Sequence, residues 1–174
     1  QDAAANLSAT QQFLTFSLSG EMFGVGILTV KEIIEYGEVT EIPMVPAFIC
    51  GVINLRGAVV PVIDLAARFG NTPTIPSRRT CIIILEIRHE DSTQTLGVLV
   101  DSVSAVLDIP TSEIEPPPAF GARIRADFIV GMGKVDGHFV ILLDIERVLS
   151  VDEIATLASL GESDTSEAVS ASLN

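Results

Sequence analysis

Apolar positions along the chain fall into short runs, and most of those runs have the length of strands. "FLTFSL" at 13–18 mixes apolar and polar positions in the alternating manner of a half-buried strand and leads into "SGEMFGVGI", a hairpin through Ser19 and Gly20. The same reading predicts strands over Val52–Leu55 and Ala58–Ile63, joined by Arg56 and Gly57 and followed by Asp64. Further strands are expected over Thr80–Arg88 and Thr95–Val100 around a polar turn "HEDSTQ", and over Ile129–Lys134 and His138–Leu143 around an Asp-Gly turn. "TVKEIIEYG" is short and rich in β-branched residues, so it reads as a strand entered through a tight turn. Short helices are expected at "DLAARFG", "DIERVLS" and "SVDEIATLASLG", capped by Asp64, Asp144 and a Ser150–Glu153 capping box. Pro116–Pro118 exclude a central strand and favour an extended connector.

The pattern occurs twice. "FICGVINLRGAVVPVIDLAARF" from Phe48 aligns without gaps on "FIVGMGKVDGHFVILLDIERVL" from Phe128, 80 residues later, with Gly51/Gly131, Gly57/Gly137, Val60/Val140 and Asp64/Asp144 in register. "FGVGILTVKEII" from Phe23 aligns on "LGVLVDSVSAVL" from Leu96, and "EIPMVPAF" from Glu41 on "EIEPPPAF" from Glu113, with an insertion around "GARIRAD" in the second copy. Two copies are too few for a solenoid. They predict an all-β domain over 13–160 made of two small barrel or sandwich lobes, corresponding to copies at about 13–70 and 80–150, each unable to close its core alone. Residues 1–12 read as a flexible N-terminus and residues from Gly161 as a disordered acidic tail.

Composition narrows the function classes. Hydrophobic residues make up 48% of the chain but aromatics only 5%, so the core must be built from Val, Ile and Leu. No apolar run approaches the roughly 18 residues of a membrane helix, and "QDAAANLSATQQ" lacks the basic and apolar regions of a secretory signal, so a soluble, cytoplasmic protein is expected. A net charge of −13 argues against nucleic acid or an anionic membrane as partner, because phosphate contacts want Lys or Arg. Cys50 and Cys81 each sit in an apolar run and read as reduced core thiols.

Catalytic and metal-binding constellations are missing. His89 and His138 have no carboxylate or thiol partner near them in sequence, and no CxxC, HExxH, EF-hand loop, P-loop or GxSxG occurs. "GMGKVDG" sits in a hairpin rather than between strand and helix. Asp64 and Asp144 recur before short helices, which points to N-capping rather than to acid–base work. No enzyme, cofactor or metal site is therefore expected. Few aromatics and no convergent polar set also count against a small-molecule-binding barrel.

Arg56 stands out. An arginine in an apolar run is retained when a carboxylate satisfies it or a partner uses its planar fork. Its duplicate is Asp136, and the duplicate of Glu32, in the preceding strand, is Ala105, so the Arg and the Glu are absent together from the second copy. Beside Gly57, Arg56 reads either as a turn arginine reaching solvent or as one held by a carboxylate, for which Glu32 is the candidate. Of the two, a buried Arg56–Glu32 ion pair is the expectation.

These segments, above all "PMVPAFICGVINLRG", strongly resemble the CheW-like domain family of chemotaxis coupling proteins, from about Phe13 to about Leu160. Related domains occur at the C-terminus of the histidine kinase CheA and in CheV; with no kinase core or receiver domain in the sequence, a stand-alone coupling protein is expected. The resemblance implies two SH3-like five-stranded barrels around a shared core and a scaffold without enzymatic activity. It implies coupling of the cytoplasmic tips of methyl-accepting chemotaxis receptors to CheA, with Arg56 and Glu32 paired beside a receptor groove between the barrels. Ile27, Val30 and Val98 are the expected apolar groove residues, and Ile42, Met44 and Phe48 a suggested contact for the regulatory domain of CheA. An adaptor of a non-flagellar pathway, serving pilus motility or second-messenger control, is the alternative.

Overall fold

The structure, a computed structural model, describes residues 10–89, 91–117 and 126–149. The helix expected from Ser150, the tail from Gly161 and most of the "GARIRAD" insertion lie outside these residues. In chain order the strands are β1 (Thr10–Leu18), β2 (Glu21–Gly26), β3 (Val30–Glu35), β4 (Ile49–Leu55), β5 (Ala58–Asp64), β6 (Cys81–His89), β7 (Ser92–Val100), β8 (Ser102–Pro110), β9 (Ile114–Glu115), β10 (Ile129–Val135) and β11 (His138–Leu143). Two single-turn helices follow β5 and β11: α1 (Leu65–Arg68) and α2 (Ile145–Val148). β1 starts at Thr10, inside the stretch expected to be flexible, because residues 10–12 pair with the end of β8. The expected turn "HEDSTQ" is shorter than read, since β7 already begins at Ser92.

Three hairpins turn in two residues, at Ser19-Gly20, Arg56-Gly57 and Asp136-Gly137. All six of these residues have positive φ, from 50° to 91°. That is the primed turn geometry whose twist matches the strands it joins. Asp64 and Asp144 cap α1 and α2 as expected, each accepting a hydrogen bond from the main-chain N–H three residues on. Asp64 is buried, and its carboxylate also accepts from the Thr74 N–H at 2.9 Å and the Thr74 hydroxyl at 3.1 Å, which ties down the loop after α1.

The strands form two sheets of matching order, β8-β1-β2-β11-β10-β9 and β3-β6-β7-β5-β4. The parallel pairs β2·β11 and β7·β5 occupy the same place in each. The sixth strand of the first sheet, β9, has only an isolated bridge, Thr40 to Val52, as counterpart in the second. The lobes are not the sequence copies. The first sheet combines the first copy's β1–β2 hairpin with the second copy's β8, β10 and β11, and the second sheet takes β6 and β7 from the second copy. The chain is interleaved, which corrects the expectation of one copy per lobe.

Interleaving explains the unbroken apolar runs. In β6, Ile83, Leu85 and Ile87 face a core shared by the lobes, while Ile82 and Ile84 face the interior of the second lobe with Val60, Val62 and Leu99. Strands covered on both faces lose the alternation that marks a half-exposed one. The first lobe has its own interior cluster of Phe13, Ile109, Val140 and Leu142.

Close backbone approach seals the second lobe. Thr40 and Val52 exchange both main-chain hydrogen bonds at 2.8 Å. A Cβ on Gly51, whose φ is +147°, would stand 2.0 Å from the Thr40 carbonyl oxygen. At the duplicate Gly131 a Cβ would meet Ile114 at 2.4 Å and the Glu115 carbonyl at 2.8 Å, so one backbone constraint accounts for both glycines. Gly51→Ala is expected to destabilise the fold by more than about 2 kcal/mol in urea unfolding. Gly57→Asn, at a turn position with open space around its missing Cβ, is expected to cost less than about 1 kcal/mol.

Candidate functional site

Glu32 and Arg56 meet, and two backbone features bring them together. β3 and β4 are opposite edges of the second sheet, so the Arg56–Glu32 contact spans the opening between those edges. Arg56 stands at the tip of the β4–β5 hairpin with φ +52°, and the Gly57 N–H donating to Asn54 Oδ1 at 2.9 Å steadies that tip. Its guanidinium donates to Glu32 Oε2. The expected burial is not found: the Arg56 side chain is 67% exposed and the Glu32 side chain 27%. A two-residue hairpin tip projects beyond the sheet, so the arginine leaves the apolar run that surrounds it in sequence.

On the β3 side the decisive feature is a bulge. Val30 pairs with Leu85 and Glu32 with Ile84, so two residues that would share a face of a regular strand lie on opposite faces. Leu85 belongs to the shared core and Ile84 to the interior of the second lobe. The bulge therefore aims Val30 at the shared core and Glu32 at the mouth of its own lobe. Lys31, the extra residue, reaches Glu86 at 3.6 Å.

The remaining expected site residues separate accordingly. Ile27, in a 3-10 turn ahead of β3, and Val30 are partly exposed and packed against the shared core. Val98 is completely buried in that core and offers a partner no surface, so its expected place in a groove is corrected. β7, which carries it, is the central strand of its sheet. Among the suggested kinase-contact residues, Met44 is fully exposed with φ +61°, Ile42 is half-buried, and Phe48 packs on the shared core.

Arg68 was not singled out from sequence. Its guanidinium lies over the rings of Phe48 and Phe128, 5.1 and 5.0 Å from their centres, and its Nε donates to the Val148 carbonyl at 2.9 Å. Phe48 and Phe128 are duplicate positions, as are Arg68 and Val148, so the arginine joins the copies where they meet. The aligned phenylalanines were the only signal. Nothing in sequence shows that both rings face one guanidinium.

The cysteines are free thiols. Burial, with Asp64 nearby as the lesser cause, pushes the Cys50 thiol up to about 12 from 9.0. Burial and then Glu35 also raise Cys81, against a lowering hydrogen bond from the Val103 backbone. Thiolate nucleophiles need the opposite shift. No cluster of metal-ligating side chains occurs among the described residues.

Comparison with known proteins decides the family. The model of the CheW-like domain matches residues 12–153. This chain belongs to the CheW-like domain family. It is 37% identical over 153 residues to chemotaxis protein CheW of Klebsiella aerogenes, covering 88% of this chain and 90% of that one. Chemotaxis protein CheW of Bacillus subtilis is 34% identical over 145 residues, 83% and 90% of the two chains. Protein FrzA of Myxococcus xanthus is 29% identical over 148 residues, 84% and 89%. The crystal structure of scaffolding protein TtCheW from Thermoanaerobacter tengcongensis matches with a TM-score of 0.73 and 37% identity over 82% of this chain and 90% of that one. The family accounts for the paired lobes of this all-β fold, and the interleaved topology places the Glu32–Arg56 contact at the mouth of one of them.

Cys50 supplies the pH prediction for this region. Its folded value lies above its unfolded one, so its contribution to stability is complete below pH 9 and is lost as pH rises toward 12. Urea midpoints measured from pH 8 upward are expected to fall less steeply for Cys50→Ala than for the unaltered chain. At pH 8, Cys50 is expected to react with iodoacetamide only after unfolding, as read by mass spectrometry.

Proposed function

We propose that this chain is a non-enzymatic adaptor that couples methyl-accepting chemotaxis receptors to the histidine kinase CheA in the cytoplasm, with the Glu32–Arg56 contact as part of its receptor surface. Relatives named chemotaxis protein CheW and a solved relative titled a scaffolding protein support the adaptor role and favour it over service in a non-flagellar pathway. The absence from the described residues of a helix long and apolar enough to cross a membrane agrees with a partner that reaches receptors at their cytoplasmic tips.

The observation that carries the site is an imbalance of energies. Holding a residue with a Cβ in the left-handed region costs roughly 1–2 kcal/mol. An exposed ion pair returns about 0–1 kcal/mol. The fold gains nothing by placing arginine at this tip, where Asn or Gly turns the chain at lower cost, so the side chain serves something outside the fold. Glu32 fixes one edge of the guanidinium, and the exposed remainder keeps N–H groups for a partner. Val30, on the other face of β3, and Ile27, in the 3-10 turn ahead of it, extend the surface toward the shared core. Met44 offers a separate apolar anchor that suits the kinase's regulatory domain, with half-buried Ile42 two residues before it and Phe48 packed on the shared core.

Arg56→Asn and Glu32→Gln test the assignment. Both variants are expected to unfold within about 1 kcal/mol of the unaltered chain, with Arg56→Asn equal or more stable. Capture of a receptor signalling fragment is expected to fall about tenfold, while capture of the CheA regulatory domain is unchanged. Unaltered receptor capture by Arg56→Asn would remove the site from the receptor surface.

A further inference from the structure

The mouth of the first lobe lacks its arginine. β8 carries the same bulge as β3: Val103 pairs with Phe16 and Ala105 with Thr15, so Ala105 occupies the place that Glu32 has in the second lobe. The β10–β11 tip carries the same primed turn as the β4–β5 tip, with Asp136 where Arg56 stands. Where one lobe has a carboxylate and a guanidinium meeting across its mouth, the other has a methyl group and a carboxylate. A groove of about 600 Å³ opens there, lined by Met22, Ala105, Leu107, Asp136, His138 and Phe139 among others.

The lining has one sign of charge. Glu21 and Asp136 contribute carboxylates, His138 is the one titratable nitrogen, and no Lys or Arg lines the groove. Lys134, two residues before Asp136 on the same hairpin, forms no ion pair with it. Among the described residues neither carboxylate has a cationic partner. Phe139 is 51% exposed, which leaves an aromatic face beside the acids. A carboxylate beside an exposed ring and apolar walls suits a guanidinium better than an ammonium, because the planar fork both stacks and pairs.

We infer that this groove docks a segment of a partner protein that presents an arginine between apolar side chains, the arginine taking the position that Arg56 fills in the other lobe. The inference goes beyond the receptor surface proposed above and concerns the opposite lobe. Charge complementarity selects the occupant: two unpartnered carboxylates on a chain of net charge −13 draw a basic group, and the apolar walls select its neighbours.

Titration of the isotope-labelled full chain with the capped peptide Leu-Arg-Val, followed by amide shifts, tests it. The expected result is saturable shifts centred on Ala105, Asp136, His138 and Phe139. Replacing the peptide's arginine by citrulline, or Asp136 by Asn, is expected to weaken binding about fivefold or more. Asn is at home in the left-handed turn, so Asp136→Asn retains the fold. The pair Ala105→Glu with Asp136→Arg rebuilds the other lobe's contact and is expected to abolish the shifts. No saturable shift in the groove, equal binding of the citrulline peptide, or shifts confined to the Glu32 lobe would each overturn the inference. Because no receptor or kinase enters the experiment, its outcome is independent of the proposed function.

Discussion

The structure depends on an exchange of strands between two copies of one pattern. Each sheet is completed by a parallel contact, β2 with β11 in one and β7 with β5 in the other, and each contact joins residues from different copies. Parallel neighbours cannot be joined by a tight turn, so these pairs close only when distant parts of the chain have met. The shared core seals the exchange with a run of rings, Phe16, Phe23, Phe69 and Phe128, their centres 5.8–6.2 Å apart. At the end of the run the Arg68 guanidinium lies over the Phe128 ring and over that of Phe48. Neither lobe is made from one copy alone, and the two share one packed core.

Against that shared frame the differences between the lobes acquire meaning. Both have a bulge in the edge strand, both a primed turn at a hairpin tip, and both a glycine pressed against a neighbouring carbonyl. The backbone geometry is duplicated, and the side chains at the two mouths are not. Arginine with glutamate on one side and aspartate with alanine on the other change the surface while leaving the fold untouched. The frame sets where the mouths lie, and the exposed tips set the charge that each presents.

Much of the frame was legible in sequence because it rests on local signals. Ser-Gly, Arg-Gly and Asp-Gly mark turns through the left-handed region, Asp64 and Asp144 mark caps, and the 80-residue register marks the duplication. The pairing of Glu32 with Arg56 was also legible, since both are lost together in the second copy. Which copy contributes to which lobe was not, because an interleaved and a side-by-side arrangement bury the same apolar residues. The sequence left Arg56 between a solvent-reaching turn and a buried pair for a related reason: an apolar run predicts strands, and only the hairpin geometry shows that its two central residues stand clear of the sheet. Val98 was misplaced because a residue of a strand covered on both faces carries no alternation to tell groove from core.

The bulges connect these levels. A single extra residue in β3 turns Glu32 away from the face that Val30 keeps, so one short edge strand serves the shared core and the lobe's mouth at once. Without it, Glu32 would share the face of Val30 and point toward the apolar core, where an unpaired carboxylate costs several kcal/mol. The bulge in β8 does the same for Ala105, although a methyl group has no need to be kept out of a core. Its retention there is explained by geometry rather than by the residue it aims: the bulge opens the mouth, and what the mouth then holds is decided by the tip across from it. One lobe fills the opening with its own guanidinium. The other leaves the opening to a guest.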